Sequence, residues 1–307
     1  MNELRRDRLS GEWVIVAPNR ASRPVSPEMC PFCPGAPEID ARKEVQILRN
    51  RYPPLSLDAS PAKGVDSAPA RGVSEIVIES RKHNDDLAYM PEDQALIVFD
   101  VALSRMRELS ESEGVEYVHF FRNRGGKQGV TVSHPHSQVY ALPFVPKRLQ
   151  LEQRAFRSKA CPVCSVELTA SARCVSSDVN ATAYVPYAPR WPYEMHVVSS
   201  HTPELWEISK KELSSFVRAI RFSMLTIDRL FGLLTPVTLT LHNSPKPRAN
   251  FHAHAELIPA FTDRSRVRFS TGLERSADTH LLDLLPEEMA ATLRGAANSC
   301  QAQTFNS

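Results

Sequence analysis

A pattern of cysteines and histidines occurs twice in this chain of 307 residues, in the same order and with one interval repeated. Each half contains a Cys-x-x-Cys pair, then a lone histidine, then a His-x-His motif. Cys33 and His83 are 50 positions apart and His83 and His134 are 51 apart, while His201 and His252 are again 51 apart. Self-similarity at a fixed period indicates a duplicated structural unit. The chain is therefore expected to fold as two related halves.

The predicted secondary structure repeats in the same order. Each half reads as a Cys-x-x-Cys turn, a strand, a helix, a second strand, a loop and a third strand. The second of these helices carries a capping-box pattern, Ser209 with Glu212, and ends before Gly232. Helices placed between mostly antiparallel strands are typical of the α+β class. We therefore expect two tandem halves, residues 1–150 and 151–307, each an antiparallel sheet with helices packed on it.

Single elements can be predicted from local patterns. Strands are expected at residues 13–18, 74–79, 117–121, 139–142, 191–198 and 237–241. Residues 53–72 are rich in Pro, Ala and Ser, a composition that predicts a mobile surface loop.

Four of the six cysteines form the two Cys-x-x-Cys pairs. In a reducing compartment such pairs are more typical of metal sites than of disulfides. Two thiolates and two imidazoles suit a tetrahedral zinc ion with all four positions filled, which indicates a structural role. The expected ligand sets are Cys30, Cys33, His83 and His134, and Cys161, Cys164, His201 and His252. In the second set His254 or His196 could replace His252; the alternative for both is buried reduced cysteines with unrelated histidines.

The motif SHPHSQ, at residues 133–138, contains the candidate reactive group. In an extended chain residues two apart share a face, so His134, His136 and Gln138 begin on one side. If a metal holds His134, then His136 is available as a general base or as a nucleophile, and Gln138 could donate its amide to a phosphate oxygen. The glycine-rich segment 123–129 could bring backbone amides up to a phosphate. The motif thus favours phosphoryl chemistry over the alternative of a strand with ordinary histidines.

Composition excludes several classes of partner. A net charge of +2 gives no reason to expect a nucleic-acid partner. No apolar run approaches the 18 residues of a membrane span, and the charged N-terminus lacks an apolar signal core. A cytoplasmic protein is expected. Neither a Walker lysine motif nor a Gly-x-Gly-x-x-G helix start is present.

Taken together, these motifs resemble those of the galactose-1-phosphate uridylyltransferases, a branch of the histidine-triad superfamily. The resemblance covers nearly the whole chain and is most specific at the SHPHSQ motif and the first cysteine pair. Its matching stretches are residues 4–7, 10–14, 19–24, 30–33, 50–53, 123–129, 133–138, 252–254 and 267–274. It implies two tandem histidine-triad-like halves and a nucleotidylyltransferase of galactose metabolism.

The resemblance also implies a ping-pong mechanism. His136 would attack the α-phosphorus of UDP-glucose and expel the sugar 1-phosphate, leaving a covalent uridylyl-histidine whose phosphate is held by Gln138. Galactose 1-phosphate would then take up the uridylyl group. The nucleotide and phosphate site would be lined by Arg20, Arg23, Asn50, Asn123, Gly129 and Thr131. The sugar would be contacted by Arg268, Phe269 and Glu274, which in the family reach the site across a homodimer interface.

Four positions depart from the usual family pattern. Ser137 stands in place of a glycine, Arg51 in place of an acidic residue and Leu273 in place of a tyrosine. His280 occupies the region of a glutamine that contacts the sugar. These changes leave nucleotidyl-histidine chemistry possible but leave the acceptor sugar and the base open.

Alternatives from the same and from another class therefore remain. The second cysteine pair resembles that of a subgroup that includes the plant-type ADP-glucose phosphorylases. The chain could thus be an ADP-glucose phosphorylase or an enzyme that joins UTP to an unusual sugar 1-phosphate. An alternative of another class is a non-catalytic zinc-containing nucleotide-binding protein.

Overall fold

Twelve strands and five α-helices are found in the part of the chain that the computed structural model describes, residues 2–22, 29–125, 132–158, 160–164, 168–232, 234–261 and 268–298. The first half contains β1 (Glu3–Arg6), β2 (Trp13–Val16), β3 (Gln46–Arg49), β4 (Ser67–Pro69), β5 (Val73–Ile78), α1 (Glu92–Ser110), β6 (Tyr117–Arg124), β7 (His136–Leu142) and α2 (Lys147–Ala155). The second contains β8 (Cys174–Ser177), β9 (Thr182–Tyr184), β10 (Met195–Val198), α3 (Lys210–Phe231), β11 (Val237–His242), β12 (His254–Pro259), α4 (Gly272–Ala277) and α5 (Pro286–Asn298).

A nine-stranded antiparallel sheet runs through both halves. Its strand order is β3-β5-β7-β6-β11-β12-β10-β9-β8, so β6 of the first half pairs directly with β11 of the second. Outward from this junction the two halves give β6, β7, β5 and β3 on one side and β11, β12, β10 and β9 on the other. This is the same order on both sides, related by a two-fold axis between β6 and β11. The α+β class with tandem histidine-triad-like halves is confirmed.

The long helices α1 and α3 pack against each other and against the sheet. Their apolar positions recur at spacings of three and four, and Phe99, Met106, Phe216 and Ile220 are fully buried in the shared core. The capping box predicted at the start of α3 is present, since Ser209 and Glu212 satisfy each other's backbone amides. Burial of this one face drives both helices onto the sheet.

A buried network of ion pairs also joins the halves. Arg122 pairs with Glu79 at 2.9 Å and with Asp86 at 2.9 Å, while Arg124 pairs with Asp86 at 3.2 Å and with Asp228 of α3 at 2.6 Å. Burial opposes ionisation of Asp86, but the two guanidinium groups outweigh it and lower the pKa of that carboxyl. Two guanidinium groups thus face three carboxylates inside the core, and Asp86 is the carboxylate that contacts both.

The prediction of a surface loop over residues 53–72 is wrong in part. The segment contains β4, which pairs with β1 to form a separate small sheet in the order β2-β1-β4. Leu55 and Ala70 in this segment are buried, with 1% and 0% of their surface exposed. Ser67–Pro69 is too short for a sequence pattern to distinguish a strand from a loop, and its strand character depends on pairing with β1.

The strand predicted over residues 191–198 is shorter than expected. Tyr193 has a left-handed backbone, with φ of 59°, and the amide of Glu194 donates to the carbonyl of Trp191 at 3.2 Å. These residues form a turn, so β10 begins only at Met195. Within the described ranges, no helix combines the length and the apolar character that crossing a bilayer requires. The division of the halves at residue 150 falls inside α2 and stays a prediction.

Candidate functional site

The four predicted ligands of the first half converge at one end of β5 and β7. The Nδ1 atom of His134 lies 3.7 Å from the sulfur of Cys30 and 3.5 Å from that of Cys33, and Nδ1 of His83 lies 3.3 Å from the Cys33 sulfur. All four ligand atoms lie within 4.8 Å of one another. Cys30 and Cys33 come from a turn-rich stretch before β3, His83 from the loop after β5, and His134 from the residues just before β7.

This arrangement fits a tetrahedral zinc ion. Zinc bonds of about 2.3 Å to sulfur and about 2.1 Å to nitrogen imply sulfur–nitrogen separations of about 3.6 Å, close to those observed. The Nε2 atom of His134 donates to the carbonyl oxygen of Ser80 at 2.7 Å, which turns its Nδ1 lone pair toward the cysteines. Burial lowers the pKa of His134 and raises that of Cys33, so the imidazole is neutral and the Cys33 thiol needs a nearby cation to ionise.

The second half repeats the cluster with the predicted ligands. Nδ1 of His252 lies 3.7 Å from the Cys161 sulfur and 3.3 Å from the Cys164 sulfur, and Nδ1 of His201 lies 3.3 Å from Cys164. Nε2 of His252 donates to the carbonyl oxygen of Ser199, as its counterpart does in the first half. Cys164 and His201 are exposed, which distinguishes this cluster from the more enclosed first one. Both clusters can hold a metal ion.

The predicted reactive histidine has a defined tautomer. Nδ1 of His136 lies 2.8 Å from the carbonyl oxygen of His134. A carbonyl oxygen only accepts, so in the neutral ring Nδ1 carries the proton and Nε2 carries the lone pair. The ring of Phe32, the residue between the two zinc-site cysteines, packs on His136 with a centroid separation of 5.2 Å. The hydrogen bond and this packing together orient Nε2.

A cleft of about 680 Å³ lies beside His136. Its volume falls within the range of about 300–1,000 Å³ that is usual for small-molecule sites. One wall is the turn that contains the first cysteine pair, the second is the end of β3, and the floor consists of residues from β5, β6 and β7. The predicted site residues among its lining are Cys30, Cys33, Asn50, Asn123, His136 and Gln138, together with the departing residue Arg51.

Two carboxamide side chains line this cleft, and a hydroxyl group contacts the oxygen of each. Gln138 Oε1 accepts from the Tyr140 hydroxyl at 3.5 Å, and Asn123 Oδ1 accepts from the Thr238 hydroxyl at 3.0 Å. The amide nitrogen is therefore the end of each side chain that remains to be offered to a ligand. An anion such as a phosphate is the ligand that such donors suit.

The rim of the cleft is charged. Arg51 pairs with Glu38 at 3.1 Å, and both side chains are half exposed. Arg49, also in the lining, is exposed. Arg20 does not line the cleft but donates to the carbonyl of Tyr52, which does. Of these residues only Arg20 and Arg51 had been singled out from the sequence.

The remaining predicted residues are elsewhere or undescribed. Arg268 contacts Glu274, donates to the carbonyl of Leu281 and stacks over the ring of Trp191 at 5.3 Å. Among the described residues of this chain, therefore, the predicted sugar-contacting segment packs on the second half and not in the cleft. Its Phe269 side chain is 69% exposed. Arg23, Gly129 and Thr131 lie outside the described residues.

A third cluster was not predicted from the sequence. Glu152, His242, His254 and Glu256 bring four ligand atoms within 4.8 Å of one another, and a second such group shares Glu256 with Glu194 and His196. Arg148 contacts both Glu152 and Glu256. The alternative ligands His254 and His196 thus lie here and not among the second pair of cysteines. The available signal was Glu256, two residues after His254, as Gln138 follows His136.

Comparison with known proteins identifies relatives along nearly the whole chain. The family model described as "Galactose-1-phosphate uridyl transferase, N-terminal domain" matches residues 1–146. A galactose-1-phosphate uridylyltransferase of Thermotoga maritima is 33% identical over 96% of this chain and 98% of its own. A solved structure described as that of a uridylyltransferase is 33% identical, with a TM-score of 0.90 over 97% of this chain and 99% of its own. An ADP-glucose phosphorylase structure of Arabidopsis thaliana, 22% identical with a TM-score of 0.75 over 96% of this chain and 98% of its own, shares the fold.

Proposed function

The chain belongs to the galactose-1-phosphate uridylyltransferase family, and from that premise we propose that it transfers UMP between UDP-glucose and galactose 1-phosphate through a covalent uridylyl-histidine at His136. The observation that carries this proposal is the geometry of His136. Its Nδ1 donates to the His134 carbonyl oxygen, and its ring lies in the lining of a cleft of nucleotide size. An imidazole held in one tautomer and orientation beside a cleft is typical of a nucleophile.

In the first half-reaction, Nε2 of His136 forms a bond to the α-phosphorus while the bond from that phosphorus to the bridging oxygen breaks. The sugar 1-phosphate leaves with the bonding electrons. The positive charge that develops on the imidazole is stabilised through the Nδ1–H hydrogen bond to the His134 carbonyl oxygen. In the second half-reaction, a phosphate oxygen of the acceptor attacks the same phosphorus and His136 leaves as the neutral ring.

The phosphate oxygens need donors while charge shifts between them. Gln138 and Asn123 supply amide N–H groups along the floor of the cleft, and Arg51 and Arg49 add positive charge at its rim. Asn50 lies on the opposite wall, where a ribose or base would meet it. Arg23, Gly129 and Thr131 complete the proposed nucleotide site.

We assign structural zinc to both Cys₂His₂ clusters, giving two ions per chain. Bound zinc would hold the first turn and His134 together, and the carbonyl of His134 in turn orients His136. Since all four positions of each ion are filled by protein ligands, the metal does not contact the reacting phosphorus. Its contribution to chemistry is the position of the neighbouring nucleophile.

The assembly proposed is a cytoplasmic homodimer without a nucleic-acid partner. Arg268, Phe269 and Glu274 would then reach the sugar in the cleft of a partner subunit. The exposed apolar side chains Phe269 and Leu285, at 69% and 61%, support an interface at this segment. Sedimentation velocity should give the mass of two chains. A mass of one chain would contradict this assembly.

A second candidate is an ADP-glucose phosphorylase, which would use the same His136 chemistry with inorganic phosphate as acceptor. It is favoured by the second Cys-x-x-Cys cluster and by the Arabidopsis relative of that name, which is 23% identical over 95% of this chain. An enzyme acting on UTP and an unusual sugar 1-phosphate is a variant of the first candidate. A non-catalytic zinc protein would retain the clusters without chemistry at His136.

Intact mass spectrometry discriminates between these functions. The zinc-loaded protein and its His136→Ala variant are incubated separately with UDP-glucose, UDP-galactose, ADP-glucose and UTP. A uridylyl adduct from the UDP-sugars on wild type alone supports the proposed function, and an adenylyl adduct from ADP-glucose supports the second. No adduct from any donor would exclude covalent catalysis and favour the binding protein.

A further inference from the structure

The hydrogen bond between Thr238 and Asn123 crosses the junction between the two halves. Asn123 is on β6 and lines the cleft; Thr238 is its registered partner on β11. The hydroxyl of Thr238 donates to Oδ1 of Asn123 at 3.0 Å, a normal length for a strong contact. A residue of the second half, Thr238, therefore makes a hydrogen bond to a side chain in the cleft of the first half.

This contact is made with the oxygen end of the Asn123 amide. The oxygen and nitrogen of a carboxamide have nearly the same size, so shape alone does not select between its two flipped states. They differ in charge, since the NH₂ end attracts a phosphate and the oxygen end repels it. The Thr238 hydroxyl can donate or accept; in this structure it donates to Oδ1, and that flip leaves Nδ2 for the ligand.

We propose that Thr238 is a positioning residue of nucleotidyl transfer, which acts by holding the Asn123 amide with its N–H groups toward the phosphate. This inference rests on the proposed function for its role in catalysis. It assigns the second half of the chain a direct part in the chemistry of the first, through one hydroxyl group on β11.

The side-chain amide of Gln138 is oriented in the same way as that of Asn123, with a hydroxyl group at its oxygen. On the same face of the sheet, Gln138 Oε1 accepts from the hydroxyl of Tyr140 at 3.5 Å, and the Tyr140 ring packs edge-on against Phe121 at 5.4 Å. Phe121 and Asn123 are two residues apart on β6 and therefore share a face. Both amides along the cleft floor are thus contacted at their oxygen, as two donors to a single anion require.

The test compares Thr238→Val, which removes the hydroxyl at nearly constant shape, with Thr238→Ser, which keeps it. The rate of His136 adduct formation is measured in a single turnover by quenched intact mass. Loss of one orienting hydrogen bond is expected to slow Thr238→Val by about tenfold. Thr238→Ser should remain within about twofold of wild type. Equal rates for wild type and Thr238→Val, or equally slow rates for both variants, would overturn the proposal.

A double-mutant cycle separates positioning from a general structural effect. In the Asn123→Ala background Thr238→Val should cause no further loss, because the group that it orients is absent. The same tenfold loss in that background would show that Thr238 acts by another route.

Binding of UDP and of ADP, measured by calorimetry, provides a readout independent of chemistry. Thr238→Val should weaken the binding of the preferred diphosphate several-fold, Thr238→Ser should not, and the difference should vanish with Asn123→Ala. If the wild type forms no adduct, the proposed function fails while this comparison still decides the orientation of Asn123. Unchanged affinity in Thr238→Val would refute that orientation.

Discussion

Gln138 and Glu256 occupy the same position in the two halves of the chain. Each lies two residues after the second histidine of its motif, and each motif makes the same hydrogen bond, from Nδ1 of the second histidine to the carbonyl of the first, at 2.8 Å and 2.9 Å. Around Gln138 the structure is open and forms a cleft. Glu256 is 1% exposed and contacts Arg148. The geometry of the second histidine is therefore duplicated, while the open cleft beside it in the first half gives way to a buried carboxylate in the second.

Changing Gln138 to Glu should place a carboxylate where the second half has Glu256, and it should abolish most of the activity. A carboxylate has no N–H to donate and repels the phosphate, and loss of one such donor costs about 100- to 1,000-fold in rate. The measurement is single-turnover adduct formation at saturating donor. Gln150→Glu makes the same chemical change at an exposed position of α2, outside the cleft lining, and as the matched control should react normally. A Gln138→Glu variant as fast as wild type would remove Gln138 from the phosphate site.

Replacing His134 and His136 separately should affect different properties. His134→Asn should lose one zinc and melt at a lower temperature, because metal binding contributes to folding. His136→Asn should keep both zincs and the melting temperature but form no adduct. Metal analysis, thermal melting and intact mass measure the three properties on both variants. Zinc loss in His136→Asn, or an adduct on it, would contradict the division of roles.

The two clusters should release zinc in a fixed order. Cys164 and His201 of the second cluster are exposed, and without metal burial and the neighbouring Cys161 thiol raise the pKa of Cys164 to about 11. Mild chelation should therefore lower the metal content from about two ions per chain to about one while adduct formation persists. Cys164→Ser should reproduce the one-zinc state. If adduct formation is lost together with the first zinc ion, the predicted order of release is wrong.

Substitution of Asp86 by Asn should destabilise the fold by about 3 kcal/mol at pH 7, because Arg122 and Arg124 lose a buried counter-charge. In the folded chain the pKa of Asp86 lies below its usual value. The carboxylate thus stabilises the fold fully above about pH 4 and progressively less as the pH falls through the lowered folded pKa.

Denaturant unfolding of wild type and Asp86→Asn between pH 7 and pH 3 measures this difference, which should narrow at the acidic end. Asp100→Asn, on the exposed face of α1, serves as control and should change the free energy of unfolding by less than about 0.5 kcal/mol. A wild-type advantage that is constant or grows toward low pH would mean that Asp86 is not the group responsible.

The metal clusters could be predicted from the sequence because metal coordination restricts the spacing between the cysteines and histidines that serve as ligands. Two residues between cysteines and a recurring interval of about 50 positions survive duplication, so Cys33, His83 and His134 could be paired before any fold was known. The helix boundaries of α3 were predictable for a similar local reason, since Ser209 and Glu212 cap it within one turn.

Features that depend on long-range pairing were not predictable. The contact of Thr238 with Asn123 spans 115 positions and exists only because β6 and β11 are neighbours in the sheet. Likewise β4 is a strand only through β1. Tyr193 delays the start of the predicted strand by adopting a left-handed backbone, which is uncommon for an aromatic residue and has no local sequence signal.

The junction between β6 and β11 bears on the ancestry of the chain. A protein of half this length would leave the hydrogen-bonding edge of β6, or of β11, uncovered. Uncovered edges of this kind tend to pair with a second chain. Two identical half-chains paired there would have the same two-fold as the present sheet, and fusing their genes would give the present strand order. In the present chain the two halves cover that edge for each other at any protein concentration, because the pairing of β6 with β11 is intramolecular.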